Sequence, residues 1–450
     1  MVDKTREVAL KILYKIDKNE AYSNILLNEM INKNKEILNK KDIGLISEIV
    51  YGVTTWRLTI DEIIKKHSKI RLKKISPWIR NILREAIYQI IFLDKIPKSA
   101  AVNEGVNLAK KYGNRGSIGF VNAILRKIDE KDYKDLFAEK NELDRISKAM
   151  SMPKWIIEEL KSDGLDNDKI LEICKNSNIR PKVSVRVNNL KTSKKELKEI
   201  LNKEGIEAND GILDDFLILE KASGIENLKS FKEGLFTVQD EVAGLTALVL
   251  NPSSGENVLD SCSSPGGKTT YLAEIMKNEG NIEAWDIHEH RTKLVEQNAK
   301  RLGIKIINTK VEDASIYKKE YKNKFDKVLL DVPCLGIGVL KRKPDIKWQK
   351  SKEDIEEISK IQFNILNTCS KYLKEGGELV YSTCSIFKKE NRNLIEKFLN
   401  ENSNFKLKVL NLKEKFLLNY LIDDKFLEVY QNEKTDGFFI CKLMKKATKK

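Results

Sequence analysis

The chain has 450 residues, enough for two or three domains that each bury a core of their own. Hydrophobic residues make up 41% of it and aromatic residues 7%, which excludes a disordered chain. No run approaches the roughly 18 apolar residues of a membrane span, and the first residues hold no unbroken apolar stretch like that of a secretory signal. We therefore expect a soluble cytoplasmic protein.

The six cysteines include no C-x-x-C pair, and the chain has only three histidines. A zinc site is therefore not expected, and disulfides are not expected in a protein that is not exported. Taken singly, each cysteine is more often a small buried apolar residue than a catalyst. Only the surrounding sequence can favour a catalytic role for one of them.

The formal net charge of +15 suggests a polyanionic partner. This charge is concentrated in residues 62–127, here called the basic segment, which hold 15 Lys and Arg against 4 Asp and Glu. A general bias in composition would spread the excess along the chain. The concentration therefore favours contact with a nucleic acid.

The first 135 residues are predicted to be helical. Ser76 and Pro77 supply the cap and first turn of the clearest helix, and Arg80 and Arg84 lie off its apolar face. The apolar face repeats at spacings of three and four residues: Ile79, Ile82, Leu83, Ala86, Ile87, Ile90 and Ile91. That face is expected to form core, and the basic side chains outside it are expected to carry any functional contact. Residues 1–135 are thus predicted to form an all-α domain.

A small α+β connector domain is predicted for residues 150–234, after a junction at Met152-Pro153. Residues 182–188 alternate with period two, as a half-buried strand does. Thr192 is predicted to cap the next helix, and residues 217–219 are predicted to form a second strand.

Strands and helices alternate in residues 235–450, which predicts a mainly parallel sheet with helices on both faces. Strands are predicted at 257–260, 282–286, 325–331 and 378–382, and helices from Gly266 and at 291–302 and 352–373. A last strand at 437–443 is predicted to be an antiparallel edge strand. The fold class is therefore multidomain, with an α/β Rossmann-like domain last.

The segment Val258–Thr269 reads as a strand, a glycine turn and a helix, an arrangement that receives polar or anionic ligands on backbone amides. A P-loop needs glycine where Cys262 stands, so nucleotide hydrolysis is disfavoured. Asp286 ends the next strand, where α/β nucleoside binders place a carboxylate on ribose hydroxyls. Asp313 follows the strand after that and can lie beside the adenine. By itself, either aspartate is more often a helix cap or loop residue.

Asp331 ends a later apolar strand, and Pro333 stiffens the turn that presents Cys334. Cys384 lies at the end of the next strand. Because the carboxyl ends of parallel strands share an edge, both cysteines are expected beside the glycine turn. Two thiols and a carboxylate next to a nucleoside-type pocket favour a chemical role over a structural one.

Methylation of cytosine at carbon 5 has a use for two thiols. Addition of a thiolate at carbon 6 makes carbon 5 nucleophilic enough to attack a sulfonium methyl group, after which the carbon 5 proton and the enzyme sulfur must leave. The reaction needs a nucleophile, a partner for ring N3 and a group that assists elimination. Asp331 is placed for the second task and one cysteine for each of the others. The residues alone do not say which cysteine attacks.

Five ordered motifs resemble those of the Sun-type RNA cytosine-5 methyltransferases: Val238–Glu241, Cys262–Lys268, Asp331–Cys334, Lys343–Trp348 and Thr383–Ser385. The helical first part resembles the NusB-type RNA-binding domain. This combination implies S-adenosylmethionine as cofactor and 16S ribosomal RNA as substrate, at the cytosine conventionally numbered 967.

The resemblance implies that Cys384 is the nucleophile and that Cys334 helps to release the product. It places around the cofactor Cys262, Ser263, Ser264, Pro265, Gly266, Gly267, Lys268, Asp286, Asp313 and Asp331. In cytosine-5 DNA methyltransferases the Pro-Cys cysteine attacks, so Cys334 is the rival nucleophile. The sequence departs from the family in two places: serines replace the two alanines after Cys262, and Leu335 replaces a serine, which changes the hydrogen bonding available at Cys334.

Two other functions remain open at this stage. One is a non-catalytic RNA-binding factor built around the helical domain, which would bind RNA without a cofactor. The other is the same enzyme acting on tRNA or large-subunit RNA. We expect a monomer whose partner is small-subunit ribosomal RNA, with no metal and no membrane partner.

Overall fold

The computed structural model describes residues 2–19, 22–220 and 224–447. The chain divides into two compact units. The first, here called the helical unit, consists of Met1–Ile179 and Leu340–Ser351, and the second, the sheet unit, consists of Arg180–Val339 and Lys352–Lys450. The sequence predicts three domains, 1–135, 150–234 and 235–450, whose boundaries differ from those of the two units. This three-domain division stays a prediction.

The α-helices, in chain order, are α1 Lys4–Asn19, α2 Ser23–Lys33, α3 Lys40–Thr55, α4 Arg57–His67, α5 Pro77–Phe92, α6 Lys98–Tyr112, α7 Arg115–Leu125, α8 Glu130–Asp135, α9 Glu142–Ala149, α10 Lys154–Ser162, α11 Asn167–Asn176, α12 Lys194–Lys203, α13 Lys229–Lys232, α14 Glu241–Leu250, α15 Gly267–Ile275, α16 Glu289–Leu302, α17 Ile346–Gln349, α18 Glu353–Cys369, α19 Arg392–Glu401 and α20 Lys415–Leu418. The strands are β1 Val183–Val187, β2 Ala208–Asp210, β3 Phe216–Leu219, β4 Phe236–Val238, β5 Asn257–Asp260, β6 Asn281–Asp286, β7 Ile307–Val311, β8 Phe325–Asp331, β9 Leu373–Thr383, β10 Phe405–Leu407, β11 Leu421–Ile422, β12 Phe426–Val429 and β13 Phe438–Lys445. None of the helices in the described residues is long and apolar enough to cross a membrane.

The helical unit contains α1–α11 and α17, and α1–α8 pack around one apolar core, which confirms the predicted all-α first part. Helix α5 begins as predicted, because the Ser76 hydroxyl accepts a hydrogen bond from the Ile79 N–H at 3.4 Å and Pro77 occupies the first turn. Ile82 and Leu83 on its apolar face are fully buried. The helical periodicity of the sequence thus identified the core of this unit.

Arg84, however, is not free for an external partner, so the expected functional role is wrong for this residue, while that of Arg80 stays a prediction. Arg84 is only 3% exposed, and its guanidinium donates to both Asp61 carboxylate oxygens at 2.7 and 2.8 Å. Both arginines also pair with Asp17. Burial alone would raise the pKa of Asp17, but the charge of Arg84 lowers it below its usual value. Helices α1 and α4 pack beside α5, so the arginines off its apolar face form ion pairs with carboxylates of these neighbouring helices.

The segment Leu340–Ser351 packs within the helical unit and contains the Lys343–Trp348 motif. Ser23 donates to the Asp345 carboxylate at 2.6 Å, and the Trp348 indole N–H donates to the Thr54 carbonyl at 2.7 Å. Residues of this motif therefore hold the segment against helices α2 and α3 of the helical unit.

In the sheet unit, β1–β4 form an antiparallel sheet in the order β2-β3-β1-β4, which together with α12 matches the predicted α+β connector. The cap of α12 is Ser193, so the prediction of Thr192 is wrong. Ser193 accepts from the Glu196 N–H at 3.3 Å, and the Glu196 carboxylate accepts from the Ser193 N–H at 2.9 Å. This capping box requires Glu three residues after the cap, a spacing that Ser193 has and Thr192 lacks.

The large sheet has the order β11-β12-β13-β9-β8-β5-β6-β7, with β10 paired to β13. Strands β7, β6, β5, β8 and β9 are parallel, as predicted. Strand β13 is antiparallel to β9 as predicted, but it is not an edge strand, because β12 pairs with its other side. The hairpin β11–β12 was missed although two residues of its three-residue loop, Asp423 and Asp424, have the positive φ angles typical of tight hairpins.

Apolar side chains cover both faces of this sheet. Neighbouring strand residues point to opposite sides, so Val258 packs in one cluster with Leu272 of α15, while Leu259 packs in another with Leu366 of α18. Because the central strands are parallel, the carboxyl ends of β5, β6, β8 and β9 share one edge. The candidate site lies at that edge.

Candidate active site

The turn between β5 and α15 is built on two glycines. Gly266 has a φ of +98°, a left-handed conformation that favours glycine. A Cβ at Gly266 would also lie 3.1 Å from the Val295 Cα. The predicted strand, glycine turn and helix are thus present, and the backbone N–H groups of the first turn of α15 remain for a ligand.

The rest of the turn is held by its neighbours. Ser263 donates to the Trp285 carbonyl of β6 at 2.9 Å, so this serine has a structural partner. The Pro265 carbonyl accepts from Asn298 of α16 at 2.9 Å. Cys262 is partly buried, and burial raises the pKa of its thiol. Cys262 therefore resembles a packing residue of the turn more than a nucleophile.

The two predicted nucleoside-binding aspartates lie at strand ends, and both also have local partners. Asp286 accepts from the His288 N–H at 3.1 Å and lies 3.4 Å from Arg291. Asp313 accepts from the Ser315 N–H at 2.9 Å and from its hydroxyl at 2.6 Å. Each carboxylate therefore organises its own loop, and both lie where the strands end at the carboxyl edge of the sheet.

Two apolar side chains at the same edge were not singled out from the sequence. Ile287 follows Asp286 and is 54% exposed, and Val311, which pairs with Asp286 across β6 and β7, is 53% exposed. Exposed branched side chains directly beside a strand-ending carboxylate are the signal that could have identified them. They offer an apolar surface next to a polar group, as a nucleoside site requires.

Asp331 is held between two donors at the end of β8. The Lys268 ammonium donates to its Oδ2 at 2.6 Å, and the Ser382 hydroxyl donates to its Oδ1 at 2.8 Å. Burial alone would lower the pKa of Lys268, but the charge of Asp331 raises it above its usual value. The glycine turn and the end of β8 are thereby joined by an ion pair.

The two predicted thiols are adjacent. The Sγ atoms of Cys334 and Cys384 lie 2.9 Å apart, and both residues are partly buried. The hydrogen bond with Cys384 raises the pKa of Cys334 well above its usual value, and burial adds to this effect. The structure thus brings Cys334 and Cys384 together at the sheet edge that carries the Lys268–Asp331 pair.

Asp260 at the end of β5 is a titratable group that the sequence did not mark. It is 1% exposed, and Thr269 donates to its Oδ2 at 2.7 Å. Burial raises the pKa of Asp260 to about 7. Asp260 stands at the end of a strand as Asp286 and Asp331 do, and that repeated position was the signal.

No group of three or more His, Cys, Asp or Glu side chains that could hold a metal ion occurs in residues 2–19, 22–220 and 224–447.

Comparison with known proteins agrees with this fold. The profile of the 16S rRNA methyltransferase RsmB/F family matches residues 247–444, that of the NusB family residues 3–130, and that of the RsmF/B-like ferredoxin-like domain residues 152–226. The probable ribosomal RNA small subunit methyltransferase B of Bacillus subtilis is 36% identical over 445 residues, 98% of each chain.

Two solved structures are also similar. The crystal structure of PH0851 is 28% identical, with a TM-score of 0.79 over 99% of this chain and 100% of that one. The methyltransferase homologue from Pyrococcus horikoshii is 29% identical, with a TM-score of 0.59 over 69% of this chain and 100% of that one. The fold and the glycine turn define a methyltransferase with an all-helical NusB-like part at its N-terminal end. The chain belongs to the RsmB/F family of 16S rRNA methyltransferases.

Proposed function

We propose that this protein transfers a methyl group from S-adenosylmethionine to carbon 5 of a cytosine in 16S ribosomal RNA, at the cytosine conventionally numbered 967. The observation that carries the proposal is the pair of thiols 2.9 Å apart at the sheet edge that holds the glycine turn. A methyltransferase acting on a nucleophilic oxygen or nitrogen has no need of a thiol, whereas methylation at carbon 5 of a pyrimidine needs one thiolate to add at carbon 6 and has a use for a second in the elimination.

The proposed cofactor site consists of the turn Cys262–Lys268, with Asp286 toward the ribose and Asp313 toward the adenine. The glycine turn fits this ligand because the backbone at Gly266 and Gly267 is free of side chains and opens a helix. When bound, the cofactor supplies an electrophilic methyl group on a sulfonium centre. Ile287 and Val311 add the apolar surface that the nucleoside needs.

The proposed roles at the substrate divide among three residues. The Cys384 thiolate forms a bond to carbon 6 of the cytosine, which makes carbon 5 nucleophilic. Asp331, held by Lys268, shares a proton with ring N3, and this proton neutralises the negative charge that the addition delivers to N3 and returns to Asp331 on elimination. After methylation, Cys334 acts as the base that takes the carbon 5 proton, the electrons of that C–H bond restore the double bond between carbons 5 and 6, and the Cys384 sulfur leaves as a thiolate.

The function is tested by mapping the modified base. Bisulfite sequencing of ribosomal RNA from a strain that lacks the gene should show one 5-methylcytosine lost from 16S rRNA, at position 967, and a plasmid copy should restore it. Loss of a 5-methylcytosine from tRNA or from large-subunit RNA instead would overturn the proposed substrate. Calorimetry should show S-adenosylmethionine binding by the purified protein. RNA binding without cofactor binding would support a non-catalytic RNA-binding factor.

The basic segment is expected to contribute affinity for the RNA backbone. Its exposed cations include Lys69, Lys73 and Lys74, which flank or form the short 3-10 turn Leu72–Lys74. Replacing these three with Gln should reduce the slope of log K against log salt by about 2 to 3, because each lost phosphate contact removes about 0.7 to 0.9. Filter binding of 16S rRNA fragments across a salt series measures the slope.

The matched control replaces three exposed lysines of the helical unit outside the basic segment, Lys35, Lys40 and Lys41. This triple variant should keep the wild-type slope. Equal slopes for all three proteins would show that the basic segment is only a solvated face.

A further inference from the structure

Glu390 lies between the two loops that carry the cysteines and is completely buried. Its Oε2 accepts a hydrogen bond from the Leu335 backbone N–H at 3.0 Å. Its Oε1 accepts one from the Ser385 hydroxyl. Leu335 directly follows Cys334 and Ser385 directly follows Cys384, so one carboxylate contacts the residue after each thiol.

The carboxylate is itself held in place. Gln362 of α18 donates to Glu390 Oε2 at 3.0 Å and to the Pro333 carbonyl at 2.9 Å, so it ties the same loop a second time. The Tyr381 hydroxyl of β9 donates to the Glu390 carbonyl at 2.7 Å. Hydrogen bonds to a buried carboxylate are stronger than those between neutral groups. The position of Glu390 is therefore set by a strand and a helix, and it transmits that position to both loops.

We propose that Glu390 is a positioning residue that holds Cys334 and Cys384 side by side. This also explains how the Cys334 loop is held without a serine at position 335, because the carboxylate binds the Leu335 backbone N–H, which any residue except proline supplies. The chemical purpose of this inference rests on the proposed function. The spacing of the thiols can be measured without any methylation.

Two substitutions separate the effect of the hydrogen bonds of Glu390 from the effect of its charge. Glu390→Gln keeps an oxygen that can accept from Leu335 and Gln362 and an amide that can donate to the Ser385 hydroxyl. Glu390→Ala removes all three bonds. With 16S rRNA as substrate, Glu390→Ala should lower kcat on the order of 100-fold, because misplacement of reacting groups by about 1 Å has effects of that size. The KM for S-adenosylmethionine should stay within about threefold, and Glu390→Gln should restore most of kcat.

The spacing is measured by oxidation with diamide. Diamide takes up two electrons and two protons from the two thiols to become the hydrazine, while the S–S bond forms between Cys334 and Cys384. Peptide mapping by mass spectrometry gives the initial rate of this crosslink. The wild-type protein and Glu390→Gln should form it at rates within about threefold of each other, and Glu390→Ala at least about tenfold more slowly.

Glu378→Ala is the matched control. Glu378 lies on β9 and, like Glu390, is a largely buried carboxylate. It pairs with Lys327 and Lys442 and is not bonded to either cysteine loop. The Glu378→Ala variant should form the crosslink at the wild-type rate. An unchanged rate in Glu390→Ala, or an equal loss in Glu378→Ala, would overturn the inference.

A second variant keeps the test decisive if Glu390→Ala does not fold. Ser385→Ala removes the bond between Glu390 and the Cys384 loop, together with a long hydrogen bond of 3.5 Å that the Ser385 hydroxyl accepts from the Phe387 N–H. It should slow the crosslink severalfold; a wild-type rate would overturn the inference. Absence of methylation by the wild-type protein would count against the proposed function alone, since the crosslinking rates would still decide the role of Glu390.

Discussion

The Cys334→Ala variant is expected to accumulate a covalent protein–RNA adduct that survives a denaturing gel, and Cys384→Ala is expected to form none. If Cys384 attacks carbon 6, its removal prevents the adduct, whereas removal of Cys334 leaves an adduct that cannot be resolved. Turnover should fall in both variants, on the order of 10⁴-fold or more for loss of the nucleophile. Gel mobility of labelled 16S rRNA incubated with protein and S-adenosylmethionine measures the adduct.

The geometry fits a pair of thiols that act on the same ring. The hydrogen bond with Cys384 and burial raise the pKa of Cys334 well above its usual value. Either sulfur can donate across the 2.9 Å contact, so the contact is compatible with both assignments of the nucleophile, and the adduct experiment decides between them.

A double Cys334→Ala/Cys384→Ala variant is the control and should give no adduct. An adduct with Cys384→Ala and none with Cys334→Ala would reverse the two roles. No adduct with either single variant would argue against covalent catalysis by a thiol.

The Lys347→Met variant is expected to be at least as stable as the wild-type protein at pH 7 and to lose that advantage as the pH rises. Lys347 is 1% exposed, and its partners, Asn178 Oδ1 at 2.6 Å and the Thr55 carbonyl at 3.3 Å, are both neutral. Burial lowers the pKa of Lys347 from 10.5 to about 7. This difference corresponds to about 5 kcal/mol of disfavoured charging in the folded state.

The direction of the pH dependence follows from proton uptake. Between about pH 7 and 10.5 the unfolded lysine carries a proton that the folded lysine lacks, so unfolding takes up a proton. The free energy of unfolding of the wild-type protein should therefore rise relative to Lys347→Met by up to about 1.4 kcal/mol per pH unit. Below about pH 7 both states are protonated and the difference between the proteins should be constant.

Urea unfolding of the full-length proteins at pH 7, 8 and 9 measures this difference. Lys35→Met, at an exposed position of the helical unit, is the control and should follow the wild-type protein at every pH. Parallel pH dependence of Lys347→Met and the wild-type protein would show that Lys347 stays charged in the folded state.

Local pattern predicted the elements that build the site. The apolar run before Asp331 predicted β8 with its observed bounds, Phe325–Asp331, and the glycines after β5 predicted the turn and α15. The prediction of where the helix before β9 ends was less accurate. The helix predicted at 352–373 ends at Cys369, and β9 already begins at Leu373, because pairing with β8 outweighs the helical pattern there.

The sequence by itself determined that two cysteines end neighbouring parallel strands beside a glycine turn, because strand direction and the sheet edge follow from hydrophobic periodicity and connection order. Only the tertiary structure decided that their sulfur atoms lie 2.9 Å apart. It also decided that Glu390 joins their loops, and that Arg84 is buried with Asp61. These contacts join residues far apart in the chain, and side-chain partners across such separations are set by packing in three dimensions, which local spacing does not encode.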